Sequence, residues 1–267
     1  VTERRLAISG VTTAAWSFEE RVAAFGEAPG VEGIGVWRDS LDASDLDADQ
    51  AAARIDDAGL EVSSLIFAGG FTGEFEAAVA DAERAIADAA TLGAPVLLLL
   101  GGPRLGVSAT EGDRLVARAL DRLAPVARAA GVTLALEPLH PVDATRFSTV
   151  VTLDQALDLV AGVDGAGVMF DTWNTWWDPA VYDALDRAGD DVAAVHVADW
   201  RHPSDDPRDR AVPGEGVAPL RDLLAAVEGT GYEGWYEVEL FTERYAPADY
   251  PDLVGACVEG TRSVLPD

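Results

Sequence analysis

Four short apolar stretches of this chain end in side chains that chemistry uses. Thr133-Leu-Ala-Leu-Glu137, Gly167-Val-Met-Phe-Asp171, Ala193-Ala-Val-His-Val-Ala198 and Trp235-Tyr-Glu-Val-Glu-Leu240 carry, in turn, Glu137, Asp171, His196 and the pair Glu237 and Glu239. A strand buried on both faces does not ordinarily carry charge, so ionisable groups at such ends ask for a purpose. In an extended strand alternate side chains share a face. Thr133, Ala135 and Glu137 therefore point one way and Leu134 and Leu136 the other. The same parity groups Met169 with Asp171, Ala194 with His196 and Ala198, and Glu237 with Glu239.

If the four strands lie side by side, Glu, Asp, His and Glu converge on one mouth. Three carboxylates cannot share a dry pocket unpaired, because desolvation and like charge together force protonation. A divalent cation resolves the conflict. An oxygen-rich set with one imidazole suits Mn²⁺ best, and accepts Mg²⁺, Co²⁺ or Zn²⁺. Taken singly, each residue has a plainer reading: Glu137 as a solvated strand end, Asp171 as a turn cap, His196 as a hydrogen-bonded core histidine.

The elements that must position these groups alternate from end to end. Candidate strands are Leu6–Ser9, Gly33–Trp37, Glu61–Phe67, Pro95–Leu100, Thr133–Glu137, Gly167–Asp171, Ala193–Ala198 and Trp235–Leu240. Amphipathic, Ala-rich helical patterns at 17–25, 47–58, 74–92, 110–130, 152–161, 179–189, 217–229 and 249–263 separate and follow them. Ser17 with Glu20, Thr110 with Asp113, and Thr152 with Gln155 read as helix caps, and Gly59, Gly93, Gly131 and Gly231 as helix stops. Eight strand–helix units in 267 residues predict an α/β fold, a single (β/α)8 TIM barrel domain over 1–267, with an open doubly wound sheet as the alternative. In a barrel the carboxyl ends of the strands form the active face, which is where the four groups lie.

Composition narrows the function classes. The chain has 47 acidic and 19 basic residues, every basic one an Arg, for a net charge of −28. That balance opposes nucleic acid and anionic membranes, which need a concentrated positive surface. Without Lys there is no Schiff-base chemistry and no phosphate-binding G-x-x-x-x-G-K-[ST] loop. Gly10-Val-Thr-Thr-Ala-Ala lacks the dinucleotide-binding spacing. No apolar run approaches the ~20 residues of a membrane span, and the expected location is cytoplasmic. Cys257, the one cysteine, falls in an apolar helical pattern and reads as a packed thiol.

Leu136-Glu-Pro-Leu-His140, Phe170-Asp-Thr-Trp173, Val195-His-Val-Ala-Asp-Trp-Arg201, Pro213-Gly-Glu-Gly216 and Tyr236-Glu-Val-Glu-Leu-Phe241, in this order and spacing, resemble the xylose isomerase-like (AP endonuclease family 2) barrels. The resemblance covers nearly the whole chain. It implies one divalent metal held by Glu137, Asp171, His196 and Glu239, choosing Glu239 over Glu237, which parity leaves open. Glu237 then lies one layer deeper and needs an Arg or a hydrogen-bond partner. The resemblance further implies a sugar or sugar phosphate isomerase or epimerase that abstracts a proton beside a carbonyl through an enediolate, with Glu137 and Glu239 as acid and base. A lyase on the same scaffold is the alternative: an inosose or dehydroshikimate dehydratase, or a C-glycoside deglycosidase subunit acting on 3-keto sugars. In that case His140 is the base; as a residue of the loop after the fifth strand it reads equally as a general base or substrate hydrogen-bond partner and as a turn residue between Pro138 and Pro141. A non-catalytic sugar-binding barrel is disfavoured, since all four ligand positions are present. Members with further metals carry a His three residues after the Asp of the sixth strand. Asn174 stands there, against a trinuclear zinc site and DNA repair.

Beyond the ligands, Arg201 is a cation near the expected mouth, competing with a surface ion pair among Asp205, Asp206 and Asp209. Trp16, Trp37 and Trp173 each fall beyond a strand end, where an indole can stack on a sugar or simply pack. Arg38 and Arg104 are weaker candidates for an anionic substrate group. A small sugar or keto-sugar is the expected partner, with a homo-oligomer or a small partner subunit as a further expectation.

Overall fold

The computed structural model describes residues 4–266. Eight parallel strands close into a barrel: β1 Arg5–Ser9, β2 Gly33–Trp37, β3 Glu61–Gly69, β4 Val96–Leu100, β5 Thr133–Leu136, β6 Ala166–Asp171, β7 Val192–Val197 and β10 Trp235–Val238. Each pairs with its sequence neighbours, and β10 closes the ring against β1 and β7. Two short strands, β8 Asp199–Trp200 and β9 Arg210–Ala211, form an antiparallel hairpin outside the barrel. Among the described residues, no helix is long and apolar enough to cross a membrane.

The period of two decides the core. Leu134, Leu136, Val168, Phe170, Val195, Val197, Tyr236 and Val238 belong to the large apolar cluster shared with the helices. Ile66, Leu98, Ala135, Met169 and Ala194 form a separate, smaller cluster. Two layers thus alternate along each strand, as expected for a barrel wall. Ala198 departs from the expected parity. It follows the end of β7 and joins the helix-side cluster.

Local signals account for most boundaries. Ser17 accepts from Glu20 N–H and Glu20 accepts from Ser17 N–H, a reciprocal cap on the helix Phe18–Glu27. Thr152 caps Leu153–Val160 through Gln155 N–H. Gly93 and Gly131 end helices with φ of 73° and 75°, where a side chain would be strained. One expected cap is corrected. The long helix Ala109–Ala130 is capped by Ser108, which accepts from Glu111 N–H, and Thr110 lies inside the first turn. Ser-x-x-Glu and Thr-x-x-Asp overlap there, and the better capping pair prevails. Cys257 is fully buried, and burial pushes its thiol well up, which makes it inert.

Gly35 on β2 leaves room for Glu237 on β10. A Cβ at position 35 would stand 1.8 Å from Glu237 Oε1. Gly35→Ala is therefore expected to destabilise the barrel by about 1–3 kcal/mol. Chemical denaturation checks this, and a wild-type midpoint would show that Glu237 has freedom to retreat.

Candidate metal centre and cavity

The strand ends bring the four sequence-derived ligand candidates together. Glu137 directly follows β5, Asp171 ends β6, His196 lies on β7, and Glu239 directly follows β10. Each offers a ligand atom within 4.8 Å of the others, and none is more than 4% exposed. His196 Nδ1 lies 3.4 Å from Glu239 Oε2 and 4.0 Å from Glu137 Oε1, with no hydrogen-bond partner of its own. An orphaned imidazole nitrogen facing buried carboxylates is what a divalent cation would satisfy, so this donor set fits one.

Glu237 stands apart, as its deeper register requires. Its Oε2 accepts from the Ser63 and Ser64 hydroxyls at 2.8 Å each, and its Oε1 lies 3.3 Å from His196 Nε2. The hydrogen-bond partners are two serine hydroxyls rather than an Arg, with the imidazole within ion-pair distance. A carboxylate on that side of the imidazole would leave Nδ1 as the nitrogen facing a bound cation. Asp171 combines two roles that the sequence set against each other. Oδ1 caps the short helix Thr172–Thr175 by accepting from the Trp173 and Asn174 N–H groups, while Oδ2 meets Asn174 Nδ2 at 2.9 Å. Asn174 Nδ2 also donates to Glu137 Oε1, at 3.1 Å, and its Oδ1 accepts from His140 N–H.

Arg210 is the residue that sequence reasoning missed. Its Nη1 donates to Asp171 Oδ2 at 2.9 Å, to Glu239 Oε2 at 2.8 Å and to the Glu239 carbonyl at 3.0 Å. The guanidinium is buried, 4.8 Å from the Trp173 ring centroid and 5.0 Å from that of Phe241. Arg201, the cation expected here, sits elsewhere. Its Nε lies 3.1 Å from Asp209 Oδ2, and its Nη2 donates to the Arg210 carbonyl, so it braces the hairpin that delivers Arg210. Asp209 also holds Thr242 and Arg244. Asp199 accepts from Gly214, Gly216 and Ala218 N–H, tying the Pro213-Gly-Glu-Gly216 turn to the same hairpin. That turn, three residues beyond Arg210, was the available signal.

A cavity of about 260 Å³ opens over the cluster, and Glu137, Glu239, Asn174 and Arg210 line it. Trp37 and Trp173 line it too. Trp173 stacks on Trp200 with centroids 5.0 Å apart, and its buried indole N–H has no protein acceptor. Trp16 instead packs edge-on against Tyr250, away from the cavity lining. His140 is held among the Trp173, Trp177 and Trp200 rings at centroid distances of 5.4, 5.5 and 5.1 Å. Its Nδ1 accepts from Val142 N–H, burial lowers its pKa, and it does not line the cavity. Arg38 pairs with Asp81, and Arg104 is exposed; neither reaches the cavity.

The electrostatics are asymmetric. Burial raises the Glu137 carboxyl well above its ordinary value, and Glu239 and Asp171 raise it further. Burial acts the same way on Glu239, but His196 and Arg210 overcome it and hold that carboxyl at about 2. Burial opposes charge on His196, and Glu239 and Glu237 outweigh it, raising its pKa. Both shifts favour the protonated forms of Glu137 and His196. A raised folded-state value means proton release on cation uptake, so affinity for Mn²⁺ should climb as pH rises from about 4.5 upward. Calorimetry of Mn²⁺ binding in buffers of different ionisation enthalpy should show that release; a buffer-independent enthalpy would contradict it.

The xylose isomerase-like TIM barrel model matches residues 20–257. A Streptomyces coelicolor protein provisionally named a hydroxypyruvate isomerase is 31% identical over 241 residues, 80% of each chain. The Escherichia coli O157:H7 fructoselysine 3-epimerase is 32% identical over 127 residues, 48% of this chain and 45% of that one. Among solved structures, protein SMc04130 from Sinorhizobium meliloti superposes with a TM-score of 0.89 at 34% identity, covering 98% of both chains. Sequence match, barrel closure and the position of the acidic cluster agree: the chain belongs to the xylose isomerase-like TIM barrel family.

Proposed function

We propose that the protein is a divalent-metal-dependent isomerase or epimerase of a small keto- or aldo-sugar, working by proton transfer beside a carbonyl. One observation carries the reading. Of the four clustered residues, Glu137 and Glu239 also line the cavity, whereas Asp171 and His196 do not. Two members would thus act only as ligands, and two are placed to touch substrate as well. The names of the relatives, one an isomerase and one an epimerase, support the same reaction class.

Glu137, Asp171, His196 and Glu239 would hold the cation, with Mn²⁺ the expected metal. When bound, it would supply Lewis acidity toward neighbouring substrate oxygens, lowering the pKa of the adjacent C–H. The two glutamates divide the proton work. Arg210 and His196 keep Glu239 ionised, fit to accept a proton, while Glu137 lies in the environment that favours the protonated form. Glu137 comes from the end of β5 and Glu239 from beyond β10, across β6 and β7, so substrate between them meets a carboxyl from either side. Asn174 orients Glu137, and Arg210 orients Glu239. The N–H groups of Arg210 and Trp173 would receive negative charge as it develops on substrate oxygen. Trp37 and Trp173 would hold the ring and exclude water.

The dehydratase or deglycosidase alternative relied on His140 as base. With its Nδ1 engaged and its ring among three indoles, His140 serves the wall behind Trp173. We therefore favour isomerisation or epimerisation.

Glu239→Gln should lower kcat by about 10²–10⁴-fold and reduce bound Mn²⁺ with circular dichroism unchanged. Full activity in that variant would remove Glu239 from the assignment. In D₂O, a ketose that is turned over should gain deuterium at the carbon beside its carbonyl. Turnover without exchange would point to another reaction.

A further inference from the structure

A second charged group lies at the cavity, apart from the acidic cluster: Asp143, Arg146 and Arg208 all line it. Asp143 ends the short turn Pro141–Asp143 that follows β5, and Arg146 comes three residues later, its N–H bonded to the Asp143 carbonyl. Arg208 arrives on a different segment, two residues before β9. Its Nε donates to Asp143 Oδ1 at 2.7 Å and its Nη2 to the Val142 carbonyl at 3.1 Å, so the two loops meet at the cavity.

One carboxylate thus stands between two guanidinium groups, and it satisfies only one of them. Arg146 Nη1 lies 3.8 Å from Asp143 Oδ1, too far for a hydrogen bond, and among the described residues the Arg146 side chain donates none. Its guanidinium instead rests 4.8 Å from the Phe147 ring centroid. Arg208 keeps Nη1 uncommitted beside it. Where two Arg share a carboxylate on the helices, as Arg118 and Arg122 do at Glu76, both reach it. At the cavity, two positive charges face one negative, in a chain whose net charge is −28. Guanidinium donors left over around a held carboxylate are prearranged for a further oxyanion, which Arg takes through paired N–H groups. Asp39, the other acidic lining residue outside the cluster, follows β2, with β3 and β4 between it and the strand that leads to the trio. Arg210 is already engaged by Asp171 and Glu239. Trio and cluster line one cavity, so a sugar with its reacting end at Glu137 and Glu239 can present its far end to Arg146 and Arg208.

We propose that Arg146 and Arg208, held around Asp143, select a keto-sugar whose far end carries an oxyanion, a carboxylate or a phosphate, over the neutral sugar. This deepens the isomerase or epimerase reading and rests on it for the position of the reacting end.

The test measures binding of D-fructose, D-fructuronate and D-fructose 6-phosphate to the Mn²⁺-loaded protein, by calorimetry in phosphate-free buffer. At least one of the two anionic sugars should bind about 10–100-fold more tightly than fructose, the difference expected for charge-assisted hydrogen bonds, and which one does names the oxyanion. In Arg146→Gln, an exposed and conservative change, and in Arg208→Gln, that ratio should fall toward one with circular dichroism unchanged. Equal affinity for the three sugars, or binding of none, overturns the proposal. A preference that survives in both variants also overturns it, since the anion then sits on the metal. Deuterium exchange beside the carbonyl in the same samples separates this inference from the one beneath it. Exchange without anionic preference removes the role of the trio and keeps the isomerase; anionic preference without exchange does the reverse.

Discussion

Uncompensated negative charge inside the barrel is the constraint on which the rest of the structure depends. Glu137, Asp171, Glu237 and Glu239 are all essentially buried, within reach of one imidazole and one guanidinium. Burying a single carboxylate without a partner costs several kcal/mol, and four would exceed the whole stability of an ordinary domain. The fold answers in graded ways. Glu237 takes two serine hydroxyls, Glu239 and Asp171 share Arg210, and burial biases Glu137 toward its protonated form. A cation at the cluster would discharge what these leave over, and so the architecture and the proposed chemistry have one origin.

Strand register turns this into a defined geometry. Asp171 sits opposite His196 in the β6–β7 pairing, and His196 opposite Glu237 in the β7–β10 pairing. A slip of one residue would send each carboxylate into the helix-side apolar layer, where no counter-charge waits. Gly35 and the Ser63–Ser64 pair show how far the neighbouring strands are shaped to this one line of groups. Breaking one buried ion pair here would cost about 3–5 kcal/mol, which makes the cluster a determinant of register as well as a site.

Much of this was legible in the chain. The convergence of Glu137, Asp171, His196 and a strand-end glutamate could be read because strand periodicity is strict and a barrel gathers strand ends on one face; the choice of Glu239 over Glu237 came from the family resemblance. Arg210 could not be read in the same way. It lies on a two-residue strand in an Asp- and Arg-rich segment with no apolar period, and Arg201 nearby was read as the cation at the mouth. Only the pairing of Asp199–Trp200 with Arg210–Ala211 distinguishes them, sending one inward and leaving the other as a brace. His140 and Trp16 show the same limit. Position just past a strand end does not reveal which way a loop side chain turns.

The β8–β9 hairpin has a consequence for how such a protein can change over generations. The cluster is written into barrel strands, whose alteration disturbs the core, while its cationic neighbour arrives on a separate appendage held by Asp199 and Asp209. Mutational drift in that appendage can lengthen it, re-aim it or exchange its cation with the strand register intact. A lineage built this way is free to acquire new preferences one loop at a time, with its inherited reactivity kept in a part of the molecule that such drift does not reach.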